Sequence, residues 1–208
     1  MTQQRTMDEL IRELQALAQT GLRYAKDGYD EQRYGRIREI SFQMMAMHSE
    51  ASVDEFVAFF IPQEGYATPK VDLRGAVLDG DRILLVQEKA DGGWTMPGGW
   101  ADVNEAPREG IEREVREESG YIVRATRLIA VKDRERHDYM PRYPISLFKM
   151  FFLCDLLGGQ ADPDMEILDV GFFSLDDLPP MTGSRTLRAD IEMAFAARDA
   201  EHWETYVD

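Results

Sequence analysis

The chain has one cysteine, Cys154, among its 208 residues, so no internal disulfide can form and packing alone must hold the fold. That cysteine usage suits a reducing compartment, and a cytoplasmic location is expected. There is no N-terminal apolar segment of the secretory kind and no uncharged apolar run long enough to cross a bilayer. The most apolar stretch, Leu147 to Leu157, is broken by Lys149 and Asp155 and reads as a buried strand, with Cys154 as a core residue. Positive charge is scarce: 24 Lys and Arg stand against 39 Asp and Glu, a formal net charge of -15. Such a surface repels nucleic acid and argues against a DNA-tracking groove. It does not exclude a small anionic ligand, because bound metal ions reverse the local sign.

Two differently patterned parts follow one another. Residues 1–65 read as a small all-α domain. Thr6 with Glu9 forms a capping box, and Leu10, Ile11, Leu14, Leu17, Ala18 and Leu22 follow at helical spacing. Gly28 and Asp30 suggest a turn. A second helix is expected from about Glu31 to His48, and Ser52 with Glu55 opens a short third one through Phe60. Helices with one apolar face each need a partner, which makes a homodimer an expectation. Pro62 to Lys70 reads as a linker. Residues 68–208 then change to strands: a hairpin over Leu73–Leu78 and Ile83–Glu88, a short extended piece at Trp94–Met96, and strands near Tyr121–Val131, Leu147–Leu157 and Val170–Phe173. A turn at Leu175–Pro180 and a closing helix over Arg185–Asp199 complete an α/β (α+β) pattern.

The most specific feature is a 23-residue stretch, Gly99 to Tyr121, with the pattern G-x5-E-x7-R-E-U-x-E-E-x-G, U being apolar. Pro107 suits the first position of a helix and Gly120 the residue just past its end. Over that helix Glu114, Glu117 and Glu118 fall within a narrow arc, with Ile111 and Val115 on the adjoining core-facing side. Like charges three and four apart repel by roughly 0.2–0.5 kcal/mol per pair. Two of the three glutamates also lie in the last turn, where the helix dipole disfavours negative charge. Arg113 and Arg116 supply part of the compensation, and a bound cation would supply the rest. An acidic helix alone is most often a solvated face. Seven fixed identities at these spacings, however, arise by chance about once in a million chains of this length.

This stretch resembles the signature of the Nudix hydrolases. The final aliphatic position is Tyr121 here, and Ala106 stands where the family usually caps the helix with Ser or Thr, a change worth about 1 kcal/mol. The resemblance implies the Nudix fold, a mixed sheet sandwiched between helices. Beyond the signature, the helical N-terminus, Gly65–Asp72 and Pro97–Asp102 resemble a bacterial subgroup of ADP-ribose and CDP-choline pyrophosphatase type with a helical extension.

The resemblance further implies Mg²⁺ or Mn²⁺ on Glu114, Glu117 and Glu118, with the Gly99 carbonyl as a further ligand. It makes Arg113 an orienting residue, Glu105 its partner or a residue lying just outside the metal ligands, and Glu117 or Glu118 the base, with Glu135 and Glu166 as open alternatives. The expected reaction is cleavage of a nucleoside diphosphate linked to a second group X. Arg74, Lys89, Trp100, Asp102 and His137 are candidates for substrate contact; Trp94 reads as core. The charged, aromatic segment Asp133–Tyr143 is of a length often used functionally. Two other functions compete: removal of pyrophosphate from nucleoside triphosphates or RNA 5′ ends, and a non-catalytic ligand sensor. The acidic surface disfavours an RNA substrate, and the intact glutamates disfavour a sensor.

Overall fold

The computed structural model describes residues 5–208; residues 1–4 of the expected helical domain lie outside them. The chain divides into two units, residues 1–69 with 144–146, and residues 70–143 with 147–208.

In the first unit, α1 (Met7–Tyr24), α2 (Gly28–Met47) and α3 (Val53–Phe60) surround Ile11, Phe42, Met45, Phe56 and Phe60, with Ile145 packed against them. Both expected capping boxes form: the Thr6 hydroxyl accepts from the Glu9 amide, and the Ser52 hydroxyl from the Glu55 amide. α2 starts three residues earlier than expected. The Asp27 carboxylate accepts from the Tyr29 and Asp30 amides at 2.9 Å, so Gly28 and Asp30 begin the helix instead of turning before it. Among the described residues, no helix is long and apolar enough to cross a membrane.

The second unit is a seven-stranded mixed sheet between two helices. Its strands are β1 (Lys70–Asp79), β2 (Arg82–Glu88), β3 (Trp94–Thr95), β4 (Tyr121–Asp133), β5 (Leu147–Gly159), β6 (Ile167–Ser174) and β7 (Tyr206–Val207). β1 runs parallel to β5 and β4 parallel to β7, while β4 with β5 and β2 with β6 are antiparallel. α4 (Pro107–Ser119) sets Ile111 and Val115 on Leu73, Val77 and Phe152 of one face. α5 (Arg188–Asp199) sets Ile191, Ala194 and Ala197 on Ala76, Ile129 and Phe151 of the other. Trp94 and Cys154 are core residues, and burial pushes the Cys154 thiol up to about 12.

The detail that positions the site is a divergence of strands. β1 and β2 share only two residue pairs, Leu78 with Ile83 and Asp79 with Arg82, so the expected hairpin is far shorter than its two strands. β2 then turns away to β6, and the chain from Pro97 to Ala101 takes its place beside β1. There the Leu73, Gly75 and Ala101 amides bond to the Gly99, Pro97 and Val71 carbonyls at 2.8–2.9 Å. α5 starts at Arg188 rather than Arg185, which leaves the Arg185 side chain to the site.

Candidate active site

Pro97–Ala101 delivers the chain to α4 along a path only glycine can follow at position 98. Gly98 has φ +136°, and a Cβ there would sit 2.0 Å from the Leu73 carbonyl oxygen. The Gly98 amide donates to Glu118 Oε2 at 2.8 Å. At the next residue a Cβ would lie 3.1 Å from Glu114 Oε2, so the backbone passes directly over the carboxylates. The Gly99 carbonyl already accepts one hydrogen bond from Leu73. Gly120, with φ +76°, ends α4 and bonds back to the Arg116 carbonyl.

Arg113 is the hub of the signature. It pairs in a fork with Glu105, Nε to Oε1 and Nη2 to Oε2, both at 2.9 Å. Its Nη1 donates to Glu114 at 2.9 Å and Glu117 at 2.8 Å, and Nη2 reaches Asp102 at 3.3 Å. Burial pushes the Glu114 carboxyl up, against Arg113. Glu118 is surrounded largely by protein, and that desolvation pushes it up to about 8 despite Arg74 and the Gly98 amide. The bond to Arg113 holds Glu105 below the usual carboxylate range.

Of these groups, Glu114 and Glu118 open into a cleft of about 420 Å³. Gly98, Gly99, Trp100, Tyr143, Leu147, Lys149 and Arg185 line it as well. Among the candidate substrate residues, Arg74, Trp100 and Asp102 line the cleft, while Lys89 and His137 do not. Arg74 is committed: it grips Asp72 through Nε at 3.1 Å and Nη2 at 2.8 Å, and Nη1 donates to the Met96 carbonyl. Lys89 donates to the Met165 carbonyl beside Glu166. The His137 ring is 3.0 Å from the Asp208 carboxylate, at the end of the chain.

The open alternatives for the base separate in space. Glu166 lines the cleft. Glu135 is buried beneath the 134–143 segment, where it bonds to Arg134 and to the Tyr143 amide at 3.1 Å. The same segment buries Arg134 completely, its guanidinium 3.7 Å from the Tyr143 ring centroid. Asp72, Lys149, Tyr143, Glu88 and Arg185 are cleft residues that the sequence reading did not single out. The one available signal was a pair of charges, Asp72 and Lys149, inside runs that otherwise read as buried strand.

A divalent ion fits this donor set in kind: Glu114, Glu117 and Glu118 are all hard oxygen donors, two of them are desolvated, and among the described residues no Lys or Arg is bonded to Glu118. Among the described residues no three acidic, histidine or cysteine side chains are gathered around one point, Arg113 holding Glu114 and Glu117.

Comparison with known proteins agrees with the geometry. Residues 69–191 match the NUDIX domain model, and residues 5–60 match a model described as a UDP-X-like, N-terminal oligomerisation domain. The chain is 37% identical over 187 residues to the ADP-ribose pyrophosphatase-like protein YjhB of Bacillus subtilis, covering 90% of this chain and 89% of that one. A crystal structure of an ADP-ribose pyrophosphatase from Streptococcus suis is 43% identical and has a TM-score of 0.63, covering 68% of this chain and all of that one. The crystal structure of a UDP-X diphosphatase is 30% identical with a TM-score of 0.63, covering 96% and 97%. Nudix hydrolases generally require divalent cations. With every charged position of the signature present and its glutamates Glu105, Glu114 and Glu117 bonded to Arg113, the chain belongs to the Nudix hydrolases.

Proposed function

We propose that this Nudix enzyme cleaves the diphosphate of a nucleoside diphosphate linked to X, of the ADP-ribose or CDP-choline class, to a nucleoside monophosphate and X-phosphate. The observation that carries the reading is one cleft lined by two of the signature glutamates, Glu114 and Glu118, by Gly98–Gly99, and by Trp100, Tyr143 and Lys149. A carboxylate end suits a cation with diphosphate oxygens, and an aromatic end suits a base or sugar.

Glu114, Glu117 and Glu118 would hold Mg²⁺ or Mn²⁺, with the second lone pair of the Gly99 carbonyl as a further oxygen. The bound ion supplies neutralisation of the diphosphate charge and a lowered pKa for water. Arg113 orients Glu105, Glu114 and Glu117 and keeps their mutual repulsion in check. Glu117 or Glu118 takes the proton of the attacking water, whose oxygen bonds to one phosphorus as the bridging P–O bond breaks. Without a cation, desolvation pushes Glu118 up to about 8, and a bound divalent ion would offset that cost and favour its carboxylate form. Glu166 is the one remaining alternative within the cleft.

The enzyme works as a homodimer assembled through its N-terminal helices, in the cytoplasm. The dimer rests on the matching oligomerisation-domain model and on exposed apolar side chains of α1 and α3, among them Leu10, Leu17, Val57 and Phe59. The test of the reaction is product analysis with ADP-ribose and CDP-choline in the presence of each metal. Release of AMP or CMP with the X-phosphate supports it, and intact substrates contradict it.

A further inference from the structure

Beneath the aromatic end of the cleft lies a buried charge network that the chemistry above does not use. Asp72 of β1 is gripped by Arg74 and, from β5, by the ammonium of Lys149. Across the same sheet face Asp190 of α5 pairs with Lys132 at 2.7 Å and accepts the Tyr139 hydroxyl at 2.7 Å. All five ionic side chains are nearly inaccessible, Lys149 at 1% and Asp190 at 0% exposed. Their census does not balance. Arg74, Lys149 and Lys132 stand against Asp72 and Asp190, three cations to two carboxylates. Buried charge is tolerated when it is paired, and within this group one carboxylate, Asp72, serves two cations, while Glu118 and Glu88 also act on Arg74.

The excess falls on Lys149. Arg74 satisfies both Asp72 oxygens and spends its remaining nitrogen on the Met96 carbonyl. Lys132 has Asp190. Lys149 shares an Asp72 oxygen that Arg74 already holds; Asp190 also acts on it without a hydrogen bond, and the Tyr139 and Phe151 rings lie 5.4 and 5.9 Å from the ammonium. Burial and Arg74 push it down to about 8, as expected for a cation lacking a full counter-charge. Lys149 also lines the cleft, together with Glu114 and Glu118. Glu118 and Glu88 face Arg74 across the cleft, and Glu88 is itself bound by Arg185 at 3.2 Å.

We propose that Lys149 is the anion-binding residue of this cleft, and that a phosphoryl oxygen of the substrate supplies the counter-charge the buried network lacks. The proposal rests on the diphosphate reading of the same site and assigns to Lys149 the phosphate contact that the sequence suggests for Arg74 and Lys89. It makes an unusual demand. A lysine kept only for structure loses stability when removed, whereas a lysine holding uncompensated charge for a ligand does not.

The experiment is Lys149→Met, a substitution that leaves Asp72 with Arg74 and Asp190 with Lys132. The probe is inorganic pyrophosphate, with binding measured by calorimetry at low salt in EDTA and the melting midpoint recorded without ligand. The expected result is a melting midpoint equal to or above that of the wild type, with affinity about 10- to 100-fold weaker, the range of one charge-assisted hydrogen bond. In the metal-loaded enzyme KM for the nucleoside diphosphate substrate should rise by a similar factor. Equal pyrophosphate affinity in the two proteins overturns the proposal, as does failure of the wild type to bind pyrophosphate. A variant that melts lower or does not fold overturns it too, because Arg74 alone should suffice for Asp72. Lysine-dependent pyrophosphate binding in a protein that cleaves no nucleoside diphosphate would instead retire the proposed reaction and leave this site standing.

Discussion

Arg113 engages four carboxylates with one guanidinium, and its removal should be felt before any fold is lost. Arg113→Ala is expected to raise the metal concentration needed for half-maximal activity by about 10- to 100-fold, the usual cost of losing a residue that orients ligands. A metal titration of activity checks this, and an unchanged curve would remove Arg113 from its orienting role. Lys149 carries the pH prediction. Its folded value is depressed to about 8 from an unfolded value of 10.5, so between those limits the unfolded chain binds more protons and stability rises with pH. Below pH 8 the burden on the native state is fully present; above 10.5 it is gone. Of the groups acting on Lys149, Asp72 is held low, Arg74 stays protonated, and Tyr139 is pushed high by burial. Wild type minus Lys149→Met stability, followed by urea unfolding from pH 7 to 10.5, should therefore climb; a flat difference contradicts the assignment.

At the scale of elements, α4 begins without a side-chain cap. Ala106 has extended backbone, φ -71° and ψ 142°, and Glu109 reaches back to its amide at 3.4 Å, so only half of a capping box can form. Ala106→Ser should complete it and stabilise the protein by about 0.5–1 kcal/mol, read as a higher denaturant midpoint. A lower midpoint would mean that the loop before α4 resists the change. Much of this level was legible beforehand because it is local. Pro107, Gly120 and the glutamate spacing define α4 within one residue, and the capping boxes at Thr6 and Ser52 open α1 and α3 as read. The failures are long-range. The exception is the early start of α2, a local matter of one Asp27 carboxylate two residues from Tyr29; β7, by contrast, exists because Tyr206 and Val207 find Ala130 and Val131 far back in the chain. Arg74 and Lys149 could not be told apart from sequence: both are charges on strands. Their roles separate only once Asp72 is seen to belong to Arg74, and Lys149, 77 residues further on, to be left with a shared oxygen.

The whole molecule joins a catalytic unit to a helical one that displays apolar residues. Leu10, Leu17 and Tyr24 repeat at seven-residue intervals on α1 and are all exposed, an arrangement suited to a second copy of the same surface. Replacing Leu10 and Leu17 by Glu should convert a dimer to a monomer, measured as mass by light scattering; a dimer that persists unchanged would place the interface elsewhere. Above these stands the claim that the carboxylate cleft hydrolyses a nucleoside diphosphate-X compound with a divalent ion. Its most direct test is phosphate release, revealed by an added phosphatase, from ADP-ribose, CDP-choline, other nucleotide sugars, NADH, dinucleoside polyphosphates and nucleoside triphosphates, each with Mg²⁺ or Mn²⁺. The account predicts strong cleavage of one diphosphate-X compound, abolished by EDTA and reduced by on the order of 10²-fold or more in Glu117→Gln with its melting midpoint kept. Silence across the whole panel from a folded, metal-binding protein would contradict it.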